Sequence, residues 1–237
     1  MKITYLHNSS FIVSWPDHMV IIDYYKHSPG TSISDGVLRP HYFADLPRVS
    51  VLATHGHGDH FNPVILTWSK ERPIDYVFGF DLAEKVQHPG AIFMRPGEVT
   101  KLGDLEITAF GSTDEGVSFL LRKGEDSLFH AGDLNNWHWQ EESTPQEIAQ
   151  AEADFLRELQ VISLRAQHLD VAFFPIDPRL KTDIHRGARQ FVEATRPKHL
   201  IPMHFGEFLR LSDKLREDIE PYSKLTYLSR PGESIEI

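Results

Sequence analysis

Val49-Ser50-Val51-Leu52-Ala53-Thr54-His55-Gly56-His57-Gly58-Asp59-His60 carries the most specific pattern in the chain. Its first five residues form an apolar run of the length and composition of a buried strand. The glycines at 56 and 58 mark a tight loop at the end of that strand. Within six positions the loop carries three imidazoles and a carboxylate, His55, His57, Asp59 and His60. Those are the donor types that zinc and related divalent ions prefer. The segment therefore predicts a metal site at a strand end.

Composition narrows the rest. The 237 residues are 41% hydrophobic and 24% charged, the balance of a globular protein that does not live in lipid. We expect one metallo-hydrolase domain over residues 1–237, no membrane span and a cytoplasmic location, because Met1-Lys2-Ile3-Thr4-Tyr5-Leu6 enters strand-like sequence at once. There is no cysteine, which removes disulfides, thiolate ligands and any thiol nucleophile, so His, Asp or Glu must hold the metal. A formal charge of −10 argues against a general nucleic-acid binder, which needs a basic stripe for phosphates. It does not exclude a small anionic substrate, since bound divalent ions reverse the local field. A symmetric homo-oligomer is compatible with the sequence.

Short strand-like runs fill the first half, at 3–6, 11–15, 19–23, 49–53, 76–80, 105–110, 117–122 and 127–131, with a hairpin around Lys123-Gly124-Glu125-Asp126. Thr144-Pro145-Gln146-Glu147 is a capping box with proline at the first helical position, and Ile148, Phe155, Leu159 and Ile162 share one helical face. A long helix over 145–167 is predicted, then a strand at 171–174, a helix over 184–195 capped by Asp183, and a helix over 212–219. Residues 225–228 and 234–237 read as a closing strand pair, and 31–48 as a surface excursion. Carboxylates or imidazoles follow three other strand-like runs: Asp23 after Val20-Ile21-Ile22, Asp133 after Leu128-Phe129-His130-Ala131-Gly132, and His204 after Leu200-Ile201-Pro202-Met203. Asp23 suits an orienting role, accepting a ligand imidazole's spare N–H.

With these residues in place the chain resembles the metallo-β-lactamase superfamily. The resemblance rests on His55-x-His57-x-Asp59-His60, on Gly132-Asp133 and on Pro202-Met203-His204. Leu6-His7-Asn8-Ser9-Ser10-Phe11-Ile12-Val13 and Leu228-Ser229-Arg230-Pro231-Gly232-Glu233 are similar to its ascorbate-phosphate-lactonase-like branch. It implies an α/β fold, a four-layer αββα sandwich, with metals at strand ends. It also implies that His55 and His57 bind a first ion, that Asp59, His60 and His204 bind a second, and that Asp133 bridges the two. Members usually supply a third histidine to the first ion from the loop that here reads Phe110-Gly111-Ser112-Thr113-Asp114-Glu115-Gly116-Val117. Asp114 is the substitute by position and His130 its rival, and with neither the first site is weak or empty, or holds manganese or iron.

Divalent ions sharing a carboxylate lower the pKa of water toward neutrality and polarise a carbonyl or phosphoryl oxygen. The expected activity is hydrolysis of an ester, lactone, amide or phosphodiester in a small molecule, with Asp59 or Asp133 taking the proton and one or two Zn2+ as cofactor. Iron-dependent oxygen chemistry, nuclease activity and a catalytically silent metal protein are the alternatives, and β-lactam turnover is not implied. Asn135-Asn136-Trp137-His138-Trp139 is the candidate substrate-pocket stretch, while His27, Asp177, Arg179 and His185 carry no assigned role.

Overall fold

The computed structural model of the protein describes residues 1–26, 30–206 and 212–237. Its internal contacts divide the chain into two units, Met1–Met94 with Leu228–Ile237, and Arg95–Tyr227. Each unit is built around a seven-stranded mixed sheet.

In the first unit β1 (Lys2–His7), β2 (Ser10–Ser14) and β3 (His18–Ile22) run antiparallel. β4 (Arg48–Ala53), β5 (Asp75–Gly79) and β6 (Ile92–Met94) then add parallel to β3 in turn. The second unit repeats this plan. β7 (Val99–Leu102), β8 (Leu105–Phe110), β9 (Ser118–Lys123) and β10 (Asp126–His130) are antiparallel, and β11 (Val171–Pro175), β12 (His199–Met203) and β13 (Lys224–Leu225) continue in parallel. Parallel neighbours end at the same edge of a sheet. Residues that follow β3 and β4 therefore gather at one edge of the first sheet, and those that follow β10, β11 and β12 at one edge of the second.

Three helices belong to the second unit. α1 (Pro145–Ser163) begins at the predicted capping box, with Thr144 Oγ1 accepting from Glu147 N and Glu147 accepting from Thr144 N. It buries Phe155, Leu159 and Ile162, setting Phe155 edge-on to Phe174 of β11. It stops four residues short of the predicted 167, where Leu164, Arg165 and Gln167 face solvent and only the small Ala166 is buried. α2 (Arg186–Thr195) starts later than expected, capped by His185, because the Asp183 carboxylate is engaged by Arg186 Nε at 2.9 Å. α3 (Asp213–Ile219) is capped by Ser212.

Two further expectations are corrected. The closing strand pair does not exist: β13 joins β12, whereas β14 (Ser234–Glu236) joins β1 in the other sheet. The excursion at 31–48 is not superficial, for Val37, Leu38 and Phe43 are fully buried and Phe43 packs on Trp68. Arg72 makes that burial tolerable by donating to the carbonyls of Phe43, Ala44, Leu46 and Pro47. The short strands β6 and β7 were not anticipated, since three or four residues give too little periodicity to read.

Gly79 ends β5 beside Thr54, with ordinary φ of −57°, so its lack of a side chain serves space and not conformation. A Cβ there would strike the Thr54 carbonyl oxygen. Gly79→Ala is expected to lower unfolding free energy by about 1–3 kcal/mol, the usual cost of overpacking. Denaturant titration of the two proteins checks this, and equal midpoints would refute it.

Candidate metal centre

In the first unit, the loop after β4 holds four candidate donors. His55 Nε2 and His57 Nδ1 are 3.0 Å apart, and the His55 and His60 rings lie 4.1 Å apart between centroids. His60 Nε2 is 3.9 Å from Asp59 Oδ2. His55 and His60 are fully buried, whereas the Asp59 side chain is 46% exposed and accepts from Asn8 Nδ2 at 3.2 Å.

The carboxylate that follows β3 organises this loop. Asp23 is completely buried and accepts from Thr54 N at 2.7 Å, Thr54 Oγ1 at 2.8 Å and His60 Nδ1 at 2.8 Å. Because the carboxylate accepts the hydrogen bond from Nδ1–H, the His60 tautomer assigned by this pair carries its lone pair on Nε2. That is the orienting role expected of Asp23. A second carboxylate acts on the loop backbone: Asp81, two residues beyond β5, accepts from Gly56 N at 2.8 Å, between His55 and His57. A Cβ on Gly56 would come within 3.2 Å of Asp81 Oδ2 and 2.8 Å of Lys85 Nζ, so a larger residue would press on the carboxylate that holds the loop.

Tyr25 stands close to the same donors. Burial, then the negative charge of Asp59, raises its phenol pKa to about 12, so it stays protonated and shares a hydrogen bond with His7 Nδ1.

The second unit assembles its donors in the same way. Asp133 lies beyond β10 and His204 immediately after β12, with His204 Nε2 3.4 Å from Asp133 Oδ1. His204 Nδ1 pairs at 3.1 Å with Asp177, which follows β11. Burial alone would raise the Asp177 pKa, but hydrogen bonds from His204 and Arg179 outweigh it and hold the carboxyl at about 2. Asp177 is thus to His204 what Asp23 is to His60. Asp23 (φ 50°) and His204 (φ 58°) both adopt the left-handed backbone conformation, which non-glycine residues take only where the surroundings over-determine it.

An Asp114 carboxylate oxygen lies within 4.8 Å of one on Asp133, whereas His130 is fully buried against the Phe173 ring and accepts from Gly132 N through Nδ1. Thr113 ties the two acidic loops together, since its Oγ1 donates to Asn135 O at 2.6 Å and accepts from Asn135 N at 3.0 Å. His138 is not on the surface: it is fully buried, its Nε2 turned 3.3 Å from the Asp183 carbonyl, and burial lowers its pKa. His185 is also buried and faces Asp218 at 3.3 Å, while His27 lies outside the described residues.

The donor set suits a divalent ion. Two imidazoles have Nε2 directed by carboxylates that engage Nδ1, and each Nε2 sits beside a second carboxylate. Asp81 and Asp177 had the signal that drew attention to Asp23 and Asp133, an acid just after an apolar run. Asp177→Ala and Asp23→Ala are each expected to weaken metal affinity about 10–100-fold, as lost orienting carboxylates do. Competition against a chromophoric chelator measures it, and unchanged affinity in both variants would show that neither carboxylate orients a ligand.

Residues 2–204 match the family described as the Beta-lactamase superfamily domain. A UPF0173 metal-dependent hydrolase of Pyrococcus furiosus is 24% identical, with both chains covered in full. Among solved structures, Igni18, a metallo hydrolase from Ignicoccus hospitalis, shares 21% identity at a TM-score of 0.69, covering 100% of this chain and 98% of its own. CmlA, a diiron beta-hydroxylase from Streptomyces venezuelae, shares 17% at a TM-score of 0.68, covering 100% of this chain and 54% of its own. These likenesses to solved structures concern the fold, and the two mixed sheets with few helices are those of the α/β metallo-β-lactamase sandwich. On the extent of the family match, this chain belongs to the metallo-β-lactamase superfamily.

Proposed function

We propose that the protein is a metal-dependent hydrolase of a small organic substrate, its histidines and aspartates holding one or two divalent ions. In this reading His55, His57, Asp114 and Asp133 hold one ion, and Asp59, His60 and His204 a second, with Asp133 shared. The observation that carries the proposal is the repeated carboxylate–imidazole pair, Asp23–His60 and Asp177–His204, each turning an Nε2 toward a further carboxylate. The name of the Pyrococcus furiosus relative agrees with it.

A bound divalent ion supplies Lewis-acid charge, which eases deprotonation of water and polarises the bond to be cleaved. The chain's own residues supply the rest. Asp59, half exposed and held by the Asn8 amide, is placed to take the proton released by the attacking water. The protonated phenol of Tyr25 and its partner His7 offer hydrogen bonding on the same side of the first unit. His204 donates from Nδ1 to Asp177, which leaves the Nε2 lone pair as the one available to a metal ion. Neither a serine elbow of the Gly-x-Ser-x-Gly type nor a cysteine is present in the sequence, so water is the nucleophile the chain is equipped to use.

Iron-dependent oxygen chemistry is the second reading, favoured by Asp114 standing where relatives supply a histidine and by the fold shared with CmlA. Metal analysis with an oxygen-consumption assay separates the two. Purified protein is expected to carry a divalent metal, and chelation is expected to abolish turnover in a screen of lactones, esters, amides and phosphodiesters. Asp114→Ala should lose about one equivalent of metal and Asp133→Ala more than that, since the first removes one donor and the second the shared one. Protein that stays fully active after its metal is stripped would end the hydrolase reading. Unchanged metal content in Asp114→Ala would end the role given to that residue.

A further inference from the structure

The outer face of α1 is apolar where a surface helix is ordinarily charged. Among the described residues four large hydrophobic side chains are exposed, and three belong to this helix and its C-cap: Leu156 at 43%, Val161 at 51% and Leu164 at 80%. One exposed leucine is ordinary, but several on one element mark a contact surface. Leu164, the C-cap, has φ −69° and ψ −22° and so continues the helical path. With about 100° of turn per residue, Ala149, Ala153, Leu156, Gln160 and Leu164 fall within an arc of about 80°. All five are exposed and none is charged. Phe155, Leu159 and Ile162, which seat the helix on its sheet, point away from this arc.

Charge and shape together identify what covers the arc. Its charged neighbours are balanced against each other: Arg157 Nη2 pairs with Asp154 Oδ1 at 2.7 Å, and Gln150 Nε2 donates to the same oxygen at 3.0 Å. The arc is thus neutral on a chain of formal net charge −10. A basic partner is drawn to acidic surface, which this face does not offer. Two copies of the chain repel at long range and meet most readily where neither presents charge. The arc is also self-complementary. Positions 149 and 164 lie equally far from the midpoint between Leu156 and Arg157, and so do 153 and 160. Antiparallel pairing about a two-fold axis sets the small Ala149 of each copy against Leu164 of the other, and Ala153 against Gln160. Leu156 then meets its own counterpart beside the axis, and the two helix dipoles are opposed.

We propose that α1 is the interface of a symmetric homodimer, its outer face packed antiparallel on the same face of a second copy. A helix of 19 residues is about 28 Å long, and one face of it buries less than the roughly 800 Å² per partner of a standard interface. The dimer is therefore weak, with a dissociation constant on the order of 10 μM. Nothing in this depends on the hydrolase reading.

Sedimentation velocity on the full chain, from about 1 to 200 μM, brackets that constant and is expected to show a monomer–dimer equilibrium. Leu156→Glu places like charges across the axis and should weaken dimerisation more than about tenfold. Leu156→Lys should do the same alone, and an equal mixture of the two variants should recover the dimer, since position 156 faces itself. Ala149→Glu, set against Leu164 of the other copy, should weaken the dimer too and keeps the test decisive if a Leu156 variant fails to fold. Circular dichroism and melting temperature close to the parent's are expected for these outward-facing substitutions. Raising NaCl from about 0.05 to 0.5 M should tighten the dimer by screening the repulsion between two acidic copies. A parent that stays monomeric throughout, a dimer indifferent to both Leu156→Glu and Ala149→Glu, or a Glu and Lys mixture no better than either variant alone would each overturn the interface. Weakening by salt would do so too, by placing the contact on ion pairs elsewhere.

Discussion

A buried carboxylate that accepts a hydrogen bond from the Nδ1–H of a histidine is the interaction that holds the candidate metal centre in shape. Leaving Asp23 fully buried without donors would cost several kcal/mol in desolvation, of order 2–7 kcal/mol for a neutral polar group and more for an ion. Three short hydrogen bonds, from Thr54 N, Thr54 Oγ1 and His60 Nδ1, offset that cost. The same bonds lock the end of β3 to the loop after β4 and settle the tautomer of His60. In the second unit Asp177 does this for His204, with Arg179 as the additional donor. Breaking either carboxylate would release both a histidine and a loop.

This arrangement follows from sheet topology. Each unit changes from antiparallel to parallel pairing at one strand, β3 in the first and β10 in the second. Beyond that strand, successive carboxyl ends meet at a common edge, where open α/β sheets place their ligands. Polar residues that follow buried strands are brought together there without needing to be near in sequence. The backbone bears some strain at these positions, with left-handed Asp23 and His204, and the hydrogen-bonded carboxylates keep it in place. Beside Asp133 and His204 the second unit also carries the parallel indoles of Trp137 and Trp139, both partly exposed.

Much of the site was legible because ligand chemistry needs particular residue types close together. His55-x-His57-x-Asp59-His60 announces itself, and Asp23, Asp133 and His204 each end an apolar run. Asp81 and Asp177 carry the same signature, yet an acid after a strand is also an ordinary turn residue. Only the hydrogen bonds to Gly56 N and His204 Nδ1 tell the two uses apart. The burial of 31–48 was hidden for a related reason: Val37, Leu38 and Phe43 follow no period, and the arginine that satisfies the loop's carbonyls lies well downstream at Arg72.

Donor types, the lack of a thiol, the strand series, the capping box of α1 and the resemblance to a metallohydrolase family are all written in residue order. These are local properties: residue identity, hydrophobic period and cap chemistry act within a few positions. Only the folded chain shows which carboxylate serves which histidine, that Asp114 brings an oxygen within 4.8 Å of one on Asp133, and that the last two strands belong to different sheets. Those outcomes depend on strand register and loop closure over tens of residues, where the partner of a side chain is set by the edge to which its strand is carried.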